Sequence, residues 1–246
     1  MSPEEEAFFR LYEGLPRQGP GSDACTREAL ARLPPLPPEP AVADLGCGSG
    51  RSALVLAEHL GVRVVAIDRH APFVARLRAA ARERGLGALI EARVGDMAAP
   101  EIAPGSLDLI WSEGAIYFLG FEDGLRRWRS LLRAGGLVAV TELSWLGAAR
   151  PAAGFWAAAY PGMGSIEDNK ARAAAAGFAV LDHFVLPPSA WWDEYYRPLQ
   201  ARIARLREGA DAALRAAIAE AETEIELFAR HGDSYGYVFY LLRRAG

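Results

Sequence analysis

The sequence contains few cysteines, almost no lysine and no long uninterrupted apolar run. Cys25 and Cys47 are the only cysteines, which is too few for a disulfide-dense secreted scaffold or a four-thiolate zinc site. No apolar run approaches the roughly 18 residues of a membrane span, and the first residues are acidic where a secretory signal would be basic. We therefore expect a cytoplasmic protein without a membrane partner.

The composition is that of an ordinary globular protein. Of the 246 residues, 51% are hydrophobic and 24% are charged, a balance that excludes wholesale disorder. The net charge of −4 argues against a surface built to bind phosphate backbones, so we expect no nucleic-acid partner. At about 150 residues per domain, the length suits one domain with an insertion.

Residues 1–40 precede the main domain. Helical pieces flank a break at Gln18-Gly19-Pro20-Gly21. Residues 33–40 are too rich in proline for a helix, because proline lacks the N–H donor and restricts the residue before it. We predict an N-terminal helical cap with a proline-rich connector, followed by the main domain over residues 41–246.

The main domain alternates short apolar strands with amphipathic helices. This order predicts an α/β fold with a Rossmann-like, seven-stranded, mostly parallel sheet that has helices on both faces. The helix whose apolar face carries Leu125, Trp128 and Leu132 is expected to end at Gly135-Gly136. The predicted strands are residues 41–45, 62–67, 89–94, 107–111, 137–143, 178–186 and 235–242.

About fifty residues separate the last two predicted strands. Apolar side chains recur there at three- and four-residue steps, which predicts a helical hairpin insertion over about residues 190–231. The hairpin is expected to break near Gly209, with Asp211 as the N-cap of its second helix.

The most informative stretch is Asp44-Leu45-Gly46-Cys47-Gly48-Ser49-Gly50, which lies between the first predicted strand and a helix. Glycines there let the backbone turn tightly and approach a ligand, and the helix N-terminus offers free N–H groups. The dinucleotide pattern G-x-G-x-x-G is absent, because the third glycine falls one residue early and position 51 is Arg51. Such a loop alone also fits a plain strand-to-helix turn.

Two further acids follow the next two strands. Asp68 stands 18 residues after Gly50, where a carboxylate can accept hydrogen bonds from both hydroxyls of a ribose. Asp96 follows the third strand, where an acid can accept from an adenine amine while Met97 packs on the ring. Because ligands of open α/β sheets bind at the carboxyl ends of the strands, these acids predict a nucleoside site.

With these motifs, residues 41–143 resemble the class I S-adenosylmethionine-dependent methyltransferases. The resemblance implies S-adenosylmethionine as the cofactor and S-adenosylhomocysteine as its product. It also implies that Asp44 and the glycines surround the methionine moiety, that Asp68 binds ribose, and that the Asp96-Met97 pair holds adenine. The expected cofactor-binding residues are Gln18, Gly19, Asp44, Gly46, Cys47, Gly48, Gly50, Asp68, Arg69, Asp96, Met97 and Glu113.

Several other segments resemble a bacterial subgroup of this family that is thought to act on small molecules. The subgroup does not bring a defined substrate with it, so the acceptor atom (O, N, C or S) stays open. The matching segments are residues 18–21, 111–117, 120–122, 141–145 and 237–240.

Glu113 and Tyr117 are the candidate catalytic residues, because the family places groups near the methyl donor after the fourth strand. A general base is needed only if the acceptor must lose a proton. Glu113 can instead hold the ammonium group of the cofactor, which we favour, and Tyr117 can be a wall of the pocket. No spacing among His, Cys, Asp and Glu predicts a metal site.

Aromatic side chains cluster after the fifth and sixth predicted strands, and such rings suit a small-molecule pocket. We expect the helical insertion to form a lid or wall over the substrate. The alternatives are that the rings belong to the core of the insertion or to a homodimer contact. The candidate substrate-binding residues are Tyr117, Trp145, Tyr160, Trp191, Trp192 and Tyr195.

Three other functions stay open on the sequence. Methylation of RNA or protein would need a basic groove or a recognition domain, and neither the charge nor the length provides one. An NAD-linked oxidoreductase disagrees with the glycine spacing and with the acid after the third strand. A protein that binds S-adenosylmethionine without catalysis is the third alternative.

Overall fold

A mixed β-sheet forms the centre of the computed structural model, which describes residues 2–246. Its strands are β1 (Val42–Leu45), β2 (Val64–Asp68), β3 (Ile90–Val94), β4 (Leu107–Ser112), β5 (Leu132–Trp145), β6 (Gly164–Ser165), β7 (Phe178–Val185) and β8 (Tyr235–Arg244).

Ten α-helices are found within residues 2–246, together with two 3-10 turns at Ile116–Phe118 and Arg207–Gly209 and a π-helical turn at Trp192–Tyr196. The α-helices are α1 (Pro3–Tyr12), α2 (Asp23–Arg32), α3 (Arg51–Leu60), α4 (Ala71–Glu83), α5 (Phe121–Arg129), α6 (Ala153–Ala159), α7 (Ile166–Ala175), α8 (Pro188–Trp191), α9 (Arg197–Leu206) and α10 (Ala212–His231).

The strand order is β3-β2-β1-β4-β5-β8-β7, and the first five strands in this order run parallel. Strand β8 is antiparallel to both of its neighbours. The predicted α/β fold with a mostly parallel, Rossmann-like sheet is confirmed. The two-residue strand β6, which pairs with the end of β5, was not predicted.

The sheet separates two apolar cores, because alternate residues of each strand point to opposite faces. In β1, Val42 packs in the core formed with α1 to α4 and the helices between β7 and β8. Its neighbour Ala43 packs in the other core, against α5 and α7. Helices therefore cover both faces, and ligands can reach the sheet only at the ends of its strands.

The prediction that the helix containing Leu125 ends at Gly135-Gly136 was wrong. Helix α5 ends at Arg129, and Leu132 already pairs with Leu107 as the first residue of β5. Residues 133–136 then leave the regular ladder, since the register shifts before Leu137 pairs with Leu109. The spacing of Leu132 from Trp128 matched a helix, but pairing with β4 decides its conformation.

The N-terminal helices and the helices between β7 and β8 pack against each other. Helix α1 contacts α9 and α10, and Arg202 Nη2 donates to the carbonyl of Arg10 at 3.0 Å. The N–H of Gly21 donates to the carbonyl of Ala190 at 3.1 Å. Asp211 is the N-cap of α10, and its carboxylate accepts the N–H of Leu214. Within residues 2–246, no helix is long and apolar enough to cross a membrane.

Replacing Trp128 should show how strongly α5 supports the loop after β3. The Trp128 ring is fully buried, and its Nε1 donates to the carbonyl of Met97 at 2.8 Å. We expect Trp128→Ala to lower the free energy of unfolding by about 3–5 kcal/mol through the cavity it leaves. Trp128→Phe keeps most of the ring and should cost about 1–2 kcal/mol, chiefly through the unsatisfied carbonyl. Urea unfolding measures both losses. Equal losses would contradict the cavity effect, and an unchanged stability in Trp128→Phe would show that the hydrogen bond contributes nothing.

Candidate functional site

A cavity of about 600 Å³ lies at the carboxyl ends of β1, β2, β3 and β4, where the sheet meets the N-terminal segment. Side chains of α1, the glycine loop after β1 and the turns after the other three strands line it. The lining residues are Glu4, Glu5, Phe8, Phe9, Arg17, Gln18, Gly19, Pro20, Gly46, Cys47, Gly48, Ser49, Arg51, Ser52, Asp68, Arg69, Phe73, Asp96, Met97, Ala98, Glu113, Gly114, Ala115, Tyr117, Phe118 and Leu119.

Glycine is required in the loop after β1 for both conformation and space. Gly46 and Gly48 have φ angles of 77° and 53°, in the left-handed region that favours glycine. A Cβ on Gly46 would lie 2.4 Å from the Cβ of Ala115, and one on Gly48 would lie 2.6 Å from Oε1 of Gln18. The loop therefore needs glycine at both positions, and these glycines present bare backbone to the cavity.

Asp68 and Gln18 accept hydrogen bonds from the glycine loop. Asp68 Oδ2 accepts the N–H of Gly48 and Oδ1 accepts the N–H of His70, both at 2.8 Å. Gln18 Oε1 accepts the N–H of Ser49 at 2.8 Å. The N–H groups of Gly48 and Ser49 in the loop therefore already have partners within the protein. Each Asp68 oxygen retains acceptor capacity toward the cavity, and burial raises the pKa of this carboxyl.

Asp44 and Gly50 do not line the cavity. Asp44 is fully buried beneath the loop, where Ser52 Oγ donates to its Oδ2 at 2.7 Å and its Oδ1 has no partner. Burial raises the pKa of Asp44 to about 7. Gly50 precedes α3 with a φ of 82°, and a Cβ there would lie 2.2 Å from Leu77 Cδ1.

Asp96 and Met97 both line the cavity after β3. Asp96 Oδ1 accepts the N–H of Ala98 at 2.8 Å, which leaves its other oxygen free. Arg69 lines the cavity as well and forms an exposed ion pair with Glu5 of α1 at 2.9 Å. These residues place an acid, a thioether and a guanidinium along one side of the cavity.

Glu113 is held by three donors. Its Oε2 accepts from Arg17 Nη1 at 3.1 Å, and its Oε1 accepts from Thr26 Oγ1 at 2.7 Å and Trp111 Nε1 at 2.8 Å. Arg17 also pairs with Asp23 at 2.9 Å, and Asp23 pairs with Arg51 at 2.5 Å. This chain of alternating charges ties the N-terminal cap to β4 and to the start of α3.

Of the six candidate substrate-binding residues, only Tyr117 lines this cavity. Trp191 packs face to face with Phe228, with ring centroids 4.2 Å apart. The ring of Trp145 packs edge to face on the ring of Tyr235, with centroids 6.0 Å apart. The remaining residues also pack on aromatic rings: Trp192 on Tyr196, Tyr195 on Tyr12 and Tyr160 on Tyr117.

Tyr160 connects Tyr117 to a buried acid that was not predicted to belong to the site. The rings of Tyr160 and Tyr117 pack edge to face with centroids 5.9 Å apart, and the Tyr160 hydroxyl donates to Glu142 Oε1 at 2.6 Å. Glu142 lies in β5, is fully buried, and has no partner for Oε2. Burial raises the pKa of Glu142 to about 8. An acid inside the otherwise apolar run of β5 was a signal available in the sequence.

The cavity is also lined by residues that were not predicted to belong to the site. Phe8 and Phe9 reach it from α1, and the Phe9 ring stacks on His70 with centroids 3.9 Å apart. Arg17 reaches it from the segment between α1 and α2. No sequence motif marks these residues, because their position depends on how α1 packs against α9 and α10.

The pKa of Glu142 predicts a pH-dependent stability. The unfolded chain releases this proton near pH 4.5 and the folded protein retains it until about pH 8, so the group lowers stability as pH rises between these values. We expect Glu142→Gln to gain stability over the wild type by about 1.4 kcal/mol per pH unit from pH 5 to 7.5. Urea unfolding across this range checks it, with the exposed Glu226→Gln as control. If the difference in free energy of unfolding between Glu142→Gln and the wild type does not change with pH, then burial does not raise the pKa of Glu142.

Comparison with known proteins relates this cavity to a family. Residues 42–136 match the family model described as a methyltransferase domain. Nocamycin O-methyltransferase of Saccharothrix syringae is 38% identical over 101 residues, which cover 40% of this chain. The match spans 36% of that relative, so the chain covers only about a third of its length.

Solved structures share the fold over nearly the whole chain. An S-adenosylmethionine-dependent methyltransferase from Geobacter sulfurreducens, in complex with S-adenosylhomocysteine, has a TM-score of 0.79 and 20% identity, with 96% of this chain and 97% of that chain covered. The cyclase SpnF has a TM-score of 0.73 and 22% identity, with 91% and 81% covered. At such identities the likeness shows the fold alone, and a fold does not fix the reaction.

Proposed function

We propose that the protein transfers a methyl group from S-adenosylmethionine to a small-molecule acceptor, and the match of residues 42–136 to a methyltransferase-domain model supports this proposal. The observation that carries this proposal is one cavity in which the left-handed glycine loop and the Asp68 carboxylate form adjoining walls. Its volume of about 600 Å³ lies within the usual range for small-ligand sites.

The residues present suit S-adenosylmethionine. The exposed backbone of the glycine loop leaves room for close approach, and the unpartnered Oδ1 of Asp44 lies beneath it. The remaining acceptor capacity of Asp68 suits the two hydroxyls of a ribose. Asp96 and Met97 would contact the adenine. The cations on the wall that a carboxylate could meet are Arg17, Arg51 and Arg69.

When bound, S-adenosylmethionine supplies a methyl group on a sulfonium, which is transferred by in-line displacement. The protein then has mainly to hold the acceptor in line and exclude water, since proximity provides most of the rate in such reactions. Phe8 and Phe9 of α1 and the Tyr117-Phe118 pair after β4 are the apolar groups that line the cavity for this purpose.

The contacts of Glu113 favour a binding role over that of a general base. Both of its oxygens already accept from Arg17, Thr26 or Trp111, so a proton from the acceptor would have to compete with these donors. As a lining residue of the cavity, Glu113 still offers negative charge to the ammonium group of the cofactor. We therefore assign Glu113 to cofactor binding and to holding the N-terminal cap.

A small-molecule acceptor agrees with the charge and shape of the protein. The net charge of −4 offers little attraction to RNA, and α1 forms one wall of the cavity that a macromolecule would have to enter. Nocamycin O-methyltransferase, by its name, acts on a small molecule.

Calorimetry with an Asp68 variant tests the cofactor assignment. The wild-type protein should bind S-adenosylhomocysteine and S-adenosylmethionine but not NAD. Asp68→Ala should weaken binding by about 1–3 kcal/mol, roughly 5- to 150-fold, through the lost ribose hydrogen bonds. Asp108→Ala, at the amino end of β4, is the matched control and should bind as the wild type does. Tight binding of NAD alone, or unchanged affinity in Asp68→Ala, would refute the assignment.

Glu113→Gln separates binding from proton transfer. Loss of the charge that pairs with Arg17 should weaken S-adenosylhomocysteine binding by roughly tenfold, equivalent to about 1.4 kcal/mol. Calorimetry measures the change, and Glu122→Gln on α5 is the control. An affinity equal to that of the wild type would contradict the binding role and return Glu113 to the position of a candidate base.

A further inference from the structure

A run of apolar side chains leads from the proposed cofactor site to solvent. Gly46 of the loop after β1 lies against Ala115, since a Cβ on that glycine would come within 2.4 Å of the Ala115 Cβ. The 3-10 turn Ile116–Phe118 follows at once and brings Tyr117 and Phe118 to the cavity. The segment after β4 therefore begins beside the glycine loop and continues as one wall of the cavity.

Phe118 is the most exposed large apolar side chain within residues 2–246. The residue is 61% exposed although it lines the cavity, so it lies at the rim. Its ring packs on that of Tyr117, with centroids 4.1 Å apart and planes tilted by 31°. An apolar ring left in water forgoes the favourable free energy of burial. Apolar surface of this kind, continuous with a cavity, marks a place that a ligand covers.

Helix α1 also supplies aromatic rings to the cavity. Phe8 and Phe9 line it, and Phe8 packs on Tyr12 with centroids 4.5 Å apart. Burial raises the pKa of the Tyr117 hydroxyl, and the neighbouring Tyr12 raises it further. Tyr12 thus lies near Tyr117, and the rings of α1 and of the turn after β4 belong to one region. We call Phe8, Tyr117 and Phe118 the aromatic mouth of the cavity.

Carboxylates outnumber cations on the cavity wall. Five acids line it against three arginines, which leaves a formal excess of two negative charges. All three arginines already form ion pairs: Arg17 with Glu113 and Asp23, Arg51 with Asp23, and Arg69 with Glu5. An anionic acceptor would have to break one of these pairs and would still face the excess negative charge. The five acids are Glu4, Glu5, Asp68, Asp96 and Glu113.

We propose that the methyl acceptor is an aromatic small molecule without an anionic group, whose ring packs in the aromatic mouth, and that Phe118 determines this specificity. The inference rests on the proposed function, because it takes the wall beside Gly46 as the cofactor site. A ring in the mouth would cover the exposed face of Phe118 and pack on it as Tyr117 does. The specificity concerns the ring and the charge of the acceptor, whichever of its atoms is methylated.

Binding of matched alcohols and carboxylates to the protein saturated with S-adenosylhomocysteine tests the proposal. The probe pairs are 2-phenylethanol with phenylacetate, tryptophol with indole-3-acetate, and 2-naphthalenemethanol with 2-naphthoate. The two members of each pair share one carbon skeleton, and calorimetry at pH 7.5 gives the affinities. We expect at least one alcohol to bind ten or more times tighter than its carboxylate.

Variants of Phe118 then separate acceptor recognition from cofactor binding. Phe118→Ala should weaken binding of that alcohol at least fivefold and leave the affinity for S-adenosylhomocysteine within twofold of the wild type. Phe118→Tyr keeps the ring and should keep the affinity for the alcohol. Val185→Ala is the matched control, because Val185 is also an exposed apolar residue but lies in the edge strand β7, away from the cavity.

Three results would overturn the proposal: none of the alcohols binds, the carboxylates bind as tightly as their alcohols, or the preferred alcohol binds Phe118→Ala as it binds the wild type. Equal weakening of S-adenosylhomocysteine and alcohol in Phe118→Ala would overturn it as well, since Phe118 would then belong to the cofactor wall. Failure of S-adenosylhomocysteine to bind the wild-type protein would instead overturn the proposed function, so the two failures are distinguishable.

Discussion

The hydrogen bond from the N–H of Gly48 to Asp68 is the contact on which the organisation of the site depends. It joins the loop after β1 to the end of β2, and it forms only because Gly48 has a left-handed backbone that a side chain would obstruct. The same carboxylate accepts the N–H of His70 at the start of α4. One acid therefore fixes two adjacent strand ends and still presents oxygen to the cavity, which is the property that a ribose site requires.

The N-terminal cap completes the cavity through charge. Arg17 lies between Glu113 and Asp23, and Asp23 continues to Arg51 at the start of α3. Because the Arg17 and Glu113 side chains are only 7% and 6% exposed, solvent screens this pair less than a surface ion pair. The cap is thus joined to the strand ends in part by Arg17, Arg51 and Glu113, which also line the proposed cofactor site.

The sequence predicted best where local chemistry decides the structure. The sequence predicted the tight turn of the glycine loop and the position of Asp68 at the end of β2, because a strand, a tight turn and a helix leave few alternatives. The end of α5 could not be predicted, since Leu132 suits a helix face and a strand equally and only its pairing with Leu107 decides. The positions of the aromatic side chains depend on packing between segments that are distant in sequence. Trp191, a candidate substrate-binding residue, packs against Phe228. Glu142 was not predicted as a site residue, because only the structure shows that its buried Oε2 has no hydrogen-bond partner.

The walls of the proposed cofactor cavity are set by the backbone geometry of the loop after β1. A crystal structure with S-adenosylhomocysteine tests the central claim most directly. We predict the ligand in the cavity of the glycine loop, with its ribose hydroxyls within hydrogen-bonding distance of Asp68. A ligand bound elsewhere, or a ribose without contact to Asp68, would contradict this account.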